Sequence, residues 1–129
     1  ALAAEAIGAD LAYIGTRFIA TKEAYAPAGY KEMIVDSKAV DIIYTSLFTG
    51  VYGSYLKGSI ENAGMDPDNL PEADKNAMDF GSNGSKAKAW RDIWSAGQGV
   101  GSCHDIPTVQ ELVIRMESEY KGARDRLTG

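Results

Sequence analysis

Between Gly8 and Ala20 the chain reads Gly8-Ala9-Asp10-Leu11-Ala12-Tyr13-Ile14-Gly15-Thr16-Arg17-Phe18-Ile19-Ala20, and no other stretch restricts its fold as strongly. Gly8 suits the left-handed position that ends a helix. Leu11 to Ile14 form a short apolar run, the pattern of a strand covered on both faces. Gly15 and Thr16 follow at that strand's C-terminal end. A residue without Cβ there lets the backbone approach a ligand, and free N–H groups can face an anion. Strand, glycine turn and helix start are the parts of a phosphate site after one of the last strands of a (β/α)8 barrel. An ordinary strand-to-helix turn, with Gly15 relieving crowding, carries the same local signature, so the downstream sequence has to decide.

The chain has 129 residues, enough for one domain with a real core. Its net charge of -5 and pI near 4.8 argue against a nucleic-acid or anionic-membrane surface. No apolar run approaches the roughly 20 residues that span a bilayer. Cys103 is the only cysteine, so no intramolecular disulfide forms, and a reducing, cytoplasmic setting fits. Ala1 to Ile7 is strongly helix-forming from the first residue, without an initiator Met, a cap or the layout of a signal peptide. The expectation is a chain that starts inside a helix of a longer protein.

Leu2, Ala3, Ala6 and Ile7 supply the apolar face of that opening helix. Thr21 is placed to cap a short helix through Ala24, and Pro27 to open another that runs to about Ser37 and buries Tyr30, Met33 and Ile34. Asp41 to Thr49 is rich in β-branched and aromatic residues and is the best second strand candidate, ended by Gly50. Tyr52, Tyr55, Leu56, Ser59, Ile60 and Ala63 fall at helical spacing before Gly64, which predicts a helix there. Met65 to Gly84 is polar and turn-forming, a long loop whose Asp66, Asp68, Glu72 and Asp74 lack the frame of a calcium loop. Ser85 caps a helix from Lys86 to about Ser95, with Ala87, Trp90 and Trp94 on one side. A glycine-rich loop, Ala96 to Ser102, follows. Thr108 and Glu111 form a capping box after Pro107. Val109, Leu112, Val113, Met116, Tyr120, Ala123 and Leu127 then mark one face of a last helix to about Leu127.

The single histidine and single cysteine cannot build a metal cluster of ordinary spacing. Neither a nucleophile elbow nor a P-loop occurs. His104, beside Asp105 in a loop, reads as a hydrogen-bonded surface residue, and Cys103 as a small semi-buried one.

Taken together and in order, Gly8-Ala9-Asp10, Gly15-Thr16-Arg17-Phe18-Ile19-Ala20-Thr21-Lys22-Glu23, Tyr30-Lys31, Phe48-Thr49-Gly50 and Trp94-Ser95-Ala96-Gly97-Gln98-Gly99 resemble the C-terminal part of the nitronate monooxygenase family, formerly 2-nitropropane dioxygenase. The resemblance covers nearly the whole chain. It implies an α/β, helix-rich fold: the C-terminal part of an FMN-binding TIM (β/α)8 barrel plus its smaller α/β domain. Residues 1–26 would be the last helix-strand unit of the barrel, 27–84 the smaller domain, and 85–129 helices and a flavin-side loop packing back on the barrel.

The resemblance also implies a cofactor and a chemistry. FMN would be bound by Gly15 and Thr16 at its phosphate, with Arg17, Ser95 and Gln98 around it. Arg17 would reach the phosphate or pair with an acidic residue on the barrel rim. The family takes a proton from beside a nitro group and oxidises alkyl nitronates or nitroalkanes with flavin and oxygen. Its catalytic histidine belongs to an Ala-Gly-Gly-His type of motif upstream of the phosphate turn. That motif is absent here, His104 does not match it, and no metal is implied.

Two alternatives stay open at this point. One is a fragment of another FMN-barrel oxidoreductase, such as a flavin-dependent enoyl-thioester reductase. The other is a non-catalytic acidic helical binding module. On the family reading this chain alone lacks monooxygenase activity and tight FMN retention. Its lone barrel strand would then pair with another copy, making a homo-oligomer, pair within the smaller domain, or be rebuilt as helix.

Overall fold

A computed structural model of the chain describes residues 1–71 and 91–129. Of the strand expected over Asp41–Thr49 only the first half forms, as β1 (Ile42–Thr45), because the chain turns at Leu47 to Thr49; β1 pairs antiparallel with β2 (Gly53–Leu56). The register sets Ile42 opposite Leu56 and Ile43 opposite Tyr55. Because successive side chains point to opposite faces, these two pairs feed two separate cores. Ile42 and Leu56 join Ala20, Ile34, Ala96, Val100 and Cys103 on one side. Tyr55 joins Ile60 and Ile93 on the other, with Ile43 and Phe48 packed against them. The far edge of β2 is also occupied: Leu56 N–H donates to Trp94 O at 2.8 Å and Ala96 N–H to Ser54 O at 3.3 Å.

Around this ribbon lie α1 (Leu2–Ala6), α2 (Thr16–Ile19), α3 (Ala28–Asp36), α4 (Lys57–Asn62) and α5 (Val109–Thr128). Short 3-10 turns occupy Ala39–Asp41 and Gln98–Ser102. Pro27 precedes α3 and Ser37 follows it, with Ile34 fully buried and Tyr30 and Met33 packed on the first core, as the spacing predicts. Gly8 and Gly64 take φ of +91° and +81°, the left-handed helix ends expected of them. The capping box of α5 is present: Glu111 N–H donates to Thr108 Oγ1, and Thr108 N–H to the Glu111 carboxylate at 2.7 Å.

Further sequence expectations need correction. Leu11 to Ile14 is not a strand: it has no ladder partner among the described residues, and Leu11 and Tyr13 are almost wholly exposed. A strand needs a neighbour for its backbone groups, and nothing described here supplies one. The helix expected from Tyr52 begins only at Lys57, because Gly53 to Leu56 are drawn into the ribbon by pairing on both edges. Thr21 caps no helix; it is buried and donates back to Phe18 O at 2.7 Å. The apolar faces of α1 and α5 are narrower than expected, since Ile7, Val113 and Leu127 are exposed and only Leu112 is fully covered on α5. Most of the expected Lys86–Ser95 helix, and the turn at Gly81–Gly84, lie outside the described residues. Arg91 and Asp92 are helical, while Trp94 and Ser95 are extended along β2.

Candidate functional site

The turn at Gly15 starts α2 with no side chain capping it. In the first turn of any helix the leading amides have no intrahelical acceptor. Phe18 N–H bonds Gly15 O at 2.9 Å, which leaves the Gly15, Thr16 and Arg17 amides as the donors the turn can offer. Gly15 itself has an ordinary backbone (φ -103°), and a Cβ added there would meet nothing within 4 Å. The space it leaves open belongs to a hollow of about 460 Å³ bordered by Ile14, Gly15, Phe18, Ile19, Tyr25 and Tyr30. An open backbone turn with unspent donors beside an apolar hollow suits a phosphate carried by a flat organic group.

Thr16 ties this turn to the glycine-rich loop. Its hydroxyl oxygen accepts from Gly97 N–H at 2.9 Å, across 81 residues of sequence. Ser95 lies two residues earlier, and its carbonyl accepts from the Tyr30 hydroxyl. Burial pushes the Tyr30 phenol above its ordinary pKa, so the group stays a neutral donor. Tyr30 also stacks on Trp94, with ring centroids 5.1 Å apart and planes 13° off parallel. Gln98, exposed, opens the 3-10 turn that follows Gly97. The structure thus brings Gly15, Thr16, Ser95 and Gln98 to neighbouring positions.

Arg17 goes elsewhere. Its guanidinium pairs with the Asp105 carboxylate and donates to Asp105 O at 2.9 Å, with its side chain only 12% exposed. Arg115 grips the same carboxylate with two bonds, at 2.6 and 3.0 Å. The two guanidiniums hold Asp105 below the usual carboxylate range, Arg115 contributing most. Of the two roles open to Arg17 in the sequence, the described arrangement is the ion pair. Sequence reading missed Asp105 as that partner, and missed Glu23 too. The Glu23 carboxylate accepts from Val109 N–H at 2.9 Å, while Lys22 N–H donates to Pro107 O at 2.9 Å. A carboxylate at a helix start is a favourable charge for the helix dipole. The only available signal was the acidic character of residue 23 in an otherwise unassigned motif.

Cys103 is buried beside Arg17, and burial pushes its thiol up, which makes it a poor nucleophile. His104 is exposed. Among the described residues no cluster of His, Cys, Asp or Glu could hold a metal ion, and no helix is long and apolar enough to cross a membrane.

The sequence model of the nitronate monooxygenase family matches residues 2–119. The chain belongs to the nitronate monooxygenase family. A curated relative, a nitronate monooxygenase of Paraburkholderia phytofirmans, is 30% identical over 132 aligned positions, 97% of this chain but 36% of that protein. Two solved structures of FabK from Thermotoga maritima, one of them the M276A mutant, superpose with TM-scores of 0.70 and 0.68 at 24% and 23% identity. They cover 99% of this chain and 42% and 40% of theirs. The fold is therefore a helix-rich part of a TIM-barrel protein, and the family is one of flavin-dependent oxidoreductases. This family member spans little more than a third of its curated relative.

Proposed function

We propose that this chain is the phosphate-turn and flavin-side part of an FMN-dependent enzyme that oxidises alkyl nitronates. The observation that carries this reading is the 2.9 Å bond between Thr16 and Gly97, which joins two motif segments far apart in sequence. The Gly15 and Thr16 amides would hold the FMN phosphate, and Ser95 and Gln98 would border the flavin. Bound there, FMN would take electrons from the nitronate and pass them to oxygen. The residues of this chain orient the cofactor: Thr16 fixes the loop against the turn, and Tyr30 holds the Ser95 carbonyl. Proton removal falls to a histidine outside this chain, as the resemblance implies. Residues 1–26 would complete the barrel, 27–84 form the smaller domain, and 85–129 pack back on the barrel.

A longer protein that carries this chain is the material for the test. It should purify with FMN and turn over propane-2-nitronate quickly while oxidising NAD(P)H slowly. Rapid NAD(P)H-driven reduction of an enoyl thioester without nitronate consumption would assign it to the other kind of FMN barrel. The 129-residue chain alone should emerge from gel filtration colourless, since Leu11 to Ile14 has no neighbouring strand among the described residues.

A further inference from the structure

Tyr30 borders two spaces. One is the hollow beside Gly15; the other is a smaller, half-open cavity of about 150 Å³ walled by Tyr30, Phe48, Thr49, Tyr55, Ile93, Trp94 and Ser95. Among the described residues, no charged side chain lines the smaller cavity. Four of the lining residues carry hydroxyls, all neutral: Tyr30 donates to Ser95 O and Thr49 to Val51 O at 2.8 Å, and the other two belong to Tyr55 and Ser95. Its aromatic walls are braced in pairs. Tyr30 stacks on Trp94, and Phe48 meets Tyr55 edge-on with centroids 4.9 Å apart. An apolar cavity of roughly this size accepts a benzene-sized guest, and braced walls lower the cost of binding it.

We propose that this cavity holds the hydrocarbon substituent of the small-molecule substrate, a neutral alkyl or aryl group of about six carbons, with Tyr30 as the wall on the flavin side. The link to a substrate rests on the flavin-enzyme reading; the cavity's preference for a neutral apolar group does not. Residues Phe48 and Thr49 thereby gain a role in choosing the substituent.

Toluene titrated into the 15N-labelled chain tests the cavity without any flavin. Saturable shifts of the Trp94 indole N–H and of the Phe48, Thr49 and Ile93 amides are expected. Benzoate should bind at least about tenfold more weakly, because its charge would lose water and find no cationic side chain among the lining residues. Thr49→Leu should fill the space and weaken toluene by about tenfold, whereas Thr49→Val should bind it like the unmodified chain. Benzoate binding as tight as toluene, or toluene binding untouched by Thr49→Leu in a variant whose spectrum stays dispersed, would overturn the cavity assignment. In the flavin-loaded longer protein, kcat/KM should rise about fourfold per methylene from propyl to hexyl nitronate. A flat series would overturn the link to the substrate. A longer protein without flavin would defeat the functional reading, and saturable toluene binding would still support the apolar cavity.

Discussion

Much of the Gly15–Glu23 motif is spent on holding the molecule together. Thr16 reaches Gly97, Arg17 reaches Asp105, Lys22 reaches Pro107 and Glu23 reaches Val109. Asp105→Asn should strip the carboxylate from two guanidiniums. Arg17 is the more covered of the two, so the loss should lower stability by about 1 kcal/mol after allowing for solvent at the half-exposed partner; a urea midpoint reads it. The pH dependence has a definite sign. Asp105 and Glu111 both titrate below their ordinary values, Asp105 through Arg115 and Arg17, Glu111 through its bonds to Thr108. A depressed folded pKa gives stability that is complete above the unfolded value, about pH 4, and is lost as pH falls through the folded one. Urea midpoints should therefore hold from pH 7 to 5 and fall below pH 4, and Asp105→Asn should flatten that fall. The sequence showed the motif's residue types but not these partners, because pairs 86 and 88 residues apart leave no local pattern.

Elements with strong local signals were readable. The capping box and 3.6-residue period of α5 and the proline start of α3 formed where the chain predicts them, and the β-branched run formed a strand over its first half, β1. β2 was not, because Tyr52, Tyr55, Leu56, Ser59 and Ile60 satisfy a helical period equally well, and only pairing with β1 and the Trp94–Ala96 backbone decides for the strand. Leu11 to Ile14 failed for the converse reason: an apolar run carries strand propensity, but the ladder needs a partner. On α5 the burial of individual residues sets their worth. Leu112→Ala should cost about 2–5 kcal/mol, while Val113→Ala, at a position 48% exposed, should change stability by about 0.5 kcal/mol or less. Thermal unfolding of both variants checks the contrast; equal losses would mean that the helix packs through a broader face than the one described.

At the scale of the whole molecule, a two-stranded ribbon separates two cores, and the loop along its second edge carries Ser95 to Gln98 to the Gly15 turn. The proposed FMN phosphate site rests on family membership and on the geometry of that meeting. The most direct measurement is FMN affinity of the longer protein carrying Gly15→Val, read by flavin fluorescence on titration. The backbone at Gly15 is one that valine adopts, and an added Cβ meets nothing within 4 Å, so the variant should fold with unchanged thermal stability. Its β-branched side chain would stand in the path of the phosphate, and FMN affinity should fall at least about a hundredfold if the phosphate loses one or two charge-assisted amide bonds. A folded Gly15→Val protein that binds FMN as tightly as the unmodified one would contradict a phosphate site at this turn.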